Sequence, residues 1–66
     1  MNVTINGRPQ QVEPQTTVAD LLAGLGVRTA LVAVELNHSI VPKSRHRTTG
    51  LTEGDAIEIV TLVGGG

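Results

Sequence analysis

The chain contains no cysteine and no Phe, Tyr or Trp, and its single methionine is Met1. Without cysteine there is no disulfide framework, no thiolate nucleophile and no thiolate-ligated zinc. Without aromatic rings the stacking platforms of single-stranded nucleic-acid binders cannot be built. Neither sign of charge dominates. Five Lys or Arg stand against six Asp or Glu, a net charge of -1, which gives no electrostatic hold on a polyphosphate. No nucleic-acid partner is expected. The longest apolar run, Ala30 to Val34, is far short of the roughly 20 residues a membrane helix needs, so no membrane partner is expected either. His38 and His46 lie apart with no cysteine near them, so no metal site is expected. The lack of a signal peptide and of disulfides points to a cytoplasmic protein. At 66 residues the chain makes one small domain, too small to enclose an active site, and no catalytic side chain and no bound cofactor are expected. If it takes part in chemistry, it does so as a substrate or carrier.

What is present is enough for one compact core. Hydrophobic residues make up 39% of the chain, and thirteen of them are Val or Ile. Met1, Val3 and Ile5 alternate with Asn2 and Thr4, the pattern of a half-buried strand. Asn6-Gly7 follows, the strongest short signal for a two-residue hairpin turn. The return strand is expected around Pro9 to Glu13, with Val12 as its core residue. Thr16 to Gly26 reads as the helix. Thr17 can cap it with Asp20 three residues on. Val18, Leu21, Leu22 and Leu25 form one apolar stripe, and Gly26 is the natural left-handed stop.

Thr29 to Leu36 reads as a central strand, with Val32, Val34 and Leu36 on one face and Leu31, Ala33 and Glu35 on the other. Asn37-His38 marks a turn, and Ser39 to Val41 a short strand closed by Pro42. Lys43 to Gly50 is polar and irregular, with Leu51 as the anchor to the core. After a turn at Glu53-Gly54-Asp55, Ala56 to Leu62 is the last strand. The order is β-β-α-β-β-β, an α+β roll with its one helix across one sheet face. The domain is expected over residues 1–62, with 63–66 as a glycine tail.

That tail is the informative feature. Gly64, Gly65 and Gly66 follow directly from a strong strand. From Val63 onward an extended chain reaches about 13 Å, enough to thread a terminal carboxylate into another protein's active site. Glycines pass a narrow channel because they carry no β-carbon. A carboxylate is inert until activated, and an acyl adenylate formed with ATP gives it a leaving group. A terminal glycine run is also what an inert chain end looks like.

Taken together, Ile5-Asn6-Gly7, Thr17-Val18-Ala19-Asp20-Leu21-Leu22, Val32-Ala33-Val34-Glu35-Leu36-Asn37, Ile40-Val41-Pro42, Gly54-Asp55, Glu58-Ile59-Val60 and Val63-Gly64-Gly65-Gly66 resemble the ThiS family. These are the ubiquitin-like, β-grasp sulfur carriers of thiamine biosynthesis. The resemblance covers the whole chain and implies a mixed sheet. It implies that a ThiF-like adenylyltransferase uses ATP to adenylate the carboxylate of Gly66. Sulfur, ultimately from cysteine through a cysteine desulfurase, then replaces AMP to give a thiocarboxylate. That species supplies sulfur to a ThiG-like thiazole synthase. The family usually has glycine where His38 stands, so the geometry of that turn is in question. Sulfur carriage for molybdopterin, and protein modification through Gly66, are the alternatives within the same fold. The former family is typically longer and usually carries aromatic residues, which this chain lacks.

Two further features have two readings. Val60 and Leu62, with Ala33, point away from the helix and would form an exposed apolar patch. Beside the tail, such a patch suits partner docking, although single exposed apolar residues on strands are ordinary. The basic stretch Pro42-Lys43-Ser44-Arg45-His46-Arg47 reads more simply as a solvated loop than as a contact for an acidic surface.

Overall fold

The computed structural model describes residues 1–62. The five strands are β1 (Asn2–Ile5), β2 (Arg8–Gln11), β3 (Val32–Leu36), β4 (Ser39–Val41) and β5 (Ala56–Thr61), and the helix α1 spans Val18–Gly24. They form one sheet in the order β2-β1-β5-β3-β4. β1 and β5 run parallel, while the other neighbours are antiparallel. The sheet is therefore mixed, as expected. The tail expected over residues 63–66, and with it the expected domain boundary, lies outside the described residues.

The helix forms because both of its ends are capped. Thr17 Oγ1 accepts from the Asp20 N–H at 3.1 Å, and the Asp20 carboxylate accepts from the Thr17 N–H at 3.1 Å, a full capping box. The first two helical N–H groups, Val18 and Ala19, donate to the carbonyls of Thr49 and His46. Those donors have no partner within a helix, so the 46–49 loop is tied to the helix start. At the other end Gly26 takes φ +71°. Its N–H donates to Ala23 O, and that of Val27 to Leu22 O, the paired bonds of a Schellman stop.

The core lies between this helix and one face of the sheet. Val18, Leu21 and Leu22 of α1 meet Val3, Val32, Val34, Val41 and Ile57, with Leu51 closing the side. Leu51 is thus the anchor its position suggested.

Several boundaries differ from the sequence reading. The helix is shorter than 16–26, because Thr17 is its cap and the chain turns off at Leu25. Leu25 itself is exposed, since it sits at the C-cap, past the last packed turn. β2 is Arg8–Gln11, exposed throughout, and Val12 packs on the core from just beyond it. Thr29–Leu31 is a 3-10 turn and not the start of β3. The Leu31 N–H donates back to Arg28 O within this single turn, so the chain bends before the sheet begins.

Candidate functional site: the open sheet face at the root of the tail

β5 leads to the glycine tail, and three devices fix its position. It lies between β1 and β3 in the middle of the sheet, with five residues of β3 in register, from Val32 opposite Thr61 to Leu36 opposite Ile57. The ladder is extended past the last strand residue by the Leu62 N–H, which donates to Leu31 O at 2.8 Å. Finally, both hairpin turns clasp it with an asparagine.

In the first turn, Asn6 and Gly7 take φ +50° and +81°; in the second, Asn37 and His38 take φ +50° and +72°. Both turns have positive φ at both central residues, as a type I′ hairpin requires. The Asn6 amide then accepts from the Ile59 N–H at 2.7 Å and donates to Ile59 O at 3.2 Å. It takes the place of the next residue of a parallel neighbour, because β1 has already turned away. On the other side Asn37 Oδ1 accepts from the Ala56 N–H at 2.9 Å, and its Nδ2 donates to the Asp55 carboxylate at 3.0 Å. His38 therefore takes the left-handed second position of the turn, and the turn keeps its type I′ form.

Asp55 closes the turn that feeds β5. Its carboxylate accepts from Thr52 N–H at 2.7 Å, Thr52 Oγ1 at 3.0 Å and Asn37 Nδ2. Burial pushes this carboxyl up, but the hydrogen bonds from Asn37 and Thr52 outweigh it and hold the group below the ordinary carboxylate range. Nearby, the Asn2 backbone N–H donates to the Glu53 carboxylate at 2.9 Å and holds that group low as well.

Side chains alternate along β5, so Ile57 and Ile59 face the helix while Glu58 and Val60 face outward. No element among the described residues covers that outer face. Val60 is 52% exposed, Leu62 48% and Ile40 70%. Ala33 lies directly opposite Val60. The expected patch of Val60 and Leu62 is therefore present as an exposed surface, and it is larger than the sequence reading made it. Ile40 was missed, although a signal for it existed. A two-residue turn at 37–38 fixes the register of β4 on β3 and sets Ile40 opposite Glu35, on the outward face.

Beside Leu62 a cavity of about 230 Å³ is lined by residues that include Ile40, Pro42, Lys43 and His46. His46 corrects the reading of 42–47 as a wholly solvated loop: only 2% of it is exposed. Its Nε2 lies 3.1 Å from Val41 O, while its carbonyl receives the helix N–H of Ala19. The ring holds β4 while the backbone carbonyl of the same residue holds the helix start, so one member of a basic run is a structural residue. A second cavity, of about 300 Å³, lies at the other end of the sheet, between β2 and α1, and is lined in part by Gln10, Glu13, Asp20 and Leu25.

Among the described residues no three His, Cys, Asp or Glu side chains come together as metal ligands. No helix among them is long and apolar enough to cross a membrane. Gly64, Gly65 and Gly66 lie outside the described residues.

Comparison with known proteins gives concordant results. The model of the ThiS family matches residues 3–66. The chain is 40% identical over 63 residues to the sulfur carrier protein ThiS of Bacillus subtilis, covering 94% of this chain and 96% of that protein. It is 44% identical over all 66 residues to part of a thiazole synthase from Paramagnetospirillum magneticum, of which it spans 20% of the length. A crystal structure of the thiamine biosynthesis protein ThiS from Geobacter metallireducens superposes with a TM-score of 0.88 at 36% identity, with both chains wholly covered. The described residues thus share the β-grasp architecture.

Proposed function

The chain belongs to the ThiS family, and we propose that it is a sulfur carrier of thiamine biosynthesis which acts through the carboxylate of Gly66. The observation that carries this reading is the match with the B. subtilis carrier over 63 residues, together with a last strand held at the centre of the sheet that leads into Gly64, Gly65 and Gly66.

The chemistry follows from the reactivity of a carboxylate. One Gly66 oxygen attacks the α-phosphorus of ATP bound to a ThiF-like adenylyltransferase, and pyrophosphate leaves. The resulting acyl adenylate is attacked by a sulfur nucleophile, with a cysteine desulfurase as the ultimate source. AMP leaves to give an acyl disulfide with the donor cysteine, and a second thiol then attacks the donor sulfur, forming a disulfide with it and releasing the thiocarboxylate. A thiazole synthase then takes the sulfur. ATP belongs to the activating partner, and the carrier contributes no catalytic side chain and no cofactor of its own. Its body supplies a docking face, with Val60 and Leu62 at the root of the tail, and Gly64 and Gly65 pass the partner's channel. The part-length match to a thiazole synthase supports that enzyme as a partner.

Intact mass of the protein after incubation with ATP, the adenylyltransferase and a sulfur source tests the proposal. The expected result is a gain equal to replacing one oxygen by sulfur, localised by fragmentation to Gly66. A chain lacking Gly65 and Gly66 should fold normally and show no gain. An unchanged mass with an adenylyltransferase of proven activity would overturn the reading.

A further inference from the structure

Within the outward face of the sheet, two carboxylates stand directly opposite each other. Glu35 of β3 pairs with Glu58 of β5 in an antiparallel register, so their β-carbons lie about 5 Å apart. Like charges in that relation oppose folding. The described carboxylates that accept hydrogen bonds are those of Asp20, Glu53 and Asp55; Glu35 and Glu58 are not among them. The pair is bordered by the apolar patch. Ile40 lies across from Glu35, and the next outward pair along the two strands is Ala33 with Val60.

Nothing in the fold needs this arrangement. Among the described residues nothing covers the outer face, and Gln or Thr at either position would suit a solvated strand without the repulsion. An acidic pair inside an exposed apolar face has a clear complement, which is a cation carried on an apolar protein surface. We infer that Glu35 and Glu58 together receive one cationic side chain of the thiazole synthase, next to an apolar contact made by Ile40, Val60 and Leu62. Arginine fits best, because its planar fork of five N–H donors can bridge two carboxylates. The inference rests on the docking face proposed above and names the chemistry of what meets it. A second copy of this chain is a poorer occupant, because a two-fold contact sets a patch against itself and would gather four carboxylates.

The inference sets stability against binding. Removing the negative charge relieves the repulsion in the free carrier while it removes the partner's counter-charge. The test uses the full chain and the thiazole synthase of the same cell, with affinity measured by calorimetry across a salt series. The expected result for E35Q/E58Q is binding weakened about tenfold or more, a flatter salt dependence, and a raised thermal midpoint for the free carrier. Unchanged affinity and salt dependence in that variant would overturn the inference. Val60→Ser separates the two layers of the argument. If it weakens binding while E35Q/E58Q does not, the docking face stands and the cation falls. If neither weakens binding, the docking face falls as well. A carrier dimer that E35Q/E58Q alters, with synthase binding unaffected, would make a second copy the occupant and overturn the inference.

Discussion

His38→Gly should make the protein more stable, and the size of the gain can be worked from the turn. His38 is exposed and sits at φ +72°. Left-handed backbone costs an L-residue about 1–2 kcal/mol, and histidine tolerates it somewhat better than most. Glycine removes that cost but adds about 0.5–1 kcal/mol of unfolded-chain entropy. The balance favours glycine by about 0.5–1 kcal/mol, or about 2–8 °C in thermal midpoint for a domain of this length. The first hairpin supplies an internal control. Gly7 occupies the equivalent turn position at φ +81°, and a β-carbon there meets nothing within 4 Å. Gly7→His should therefore cost about what His38→Gly gains, because the difference at both sites is backbone conformation and not packing. Thermal and urea denaturation of the three proteins measure both values. A His38→Gly midpoint equal to or below that of the parent chain would refute the reasoning, as would a Gly7→His protein of undiminished stability.

Two further outcomes are expected. Asn6→Ala removes the amide that completes the ladder beside β5, so it should cost about 1–2 kcal/mol and selectively speed amide hydrogen exchange at Ile59; exchange unchanged there would count against the clasp. Asp55 is held below the ordinary carboxylate range, so its contribution to stability is fully present above its unfolded value near pH 3.9 and is lost as pH falls through the lower folded value. Asp55→Asn should lower stability at neutral pH and flatten the acid limb of a urea-midpoint profile, and an acid limb of unchanged slope would remove Asp55 as its cause.

Much of this protein was legible before any coordinate. Local chemistry decided the two hairpin turns, since Asn-Gly and Asn-His are residues that tolerate positive φ. The helix start and stop were readable for the same reason, with Thr17, Asp20 and Gly26 acting within a few residues of one another. Alternation along 56–62 separated Ile57 and Ile59 from Val60 and Leu62. The carrier reading also came from the sequence, because its signal is a run of glycines and a set of short motifs.

Only the tertiary structure could decide what depends on residues far apart in the chain. Thr29–Leu31 reads as the start of β3, yet it forms a 3-10 turn in which the Leu31 N–H donates to Arg28 O. His46 reads as part of a basic loop, and its burial follows from the docking of that loop on the helix start. Asn6 and Asn37 are plain turn residues in sequence, and their second role, clasping β5, exists only because the sheet order places that strand between both hairpins. The pairing of Glu35 with Glu58 is of the same kind. Turns, caps and alternation are set within a few residues, where sequence and geometry are nearly the same information. Register between strands more than twenty residues apart is set by how the whole core closes, and that decided which charges face each other at the root of the tail.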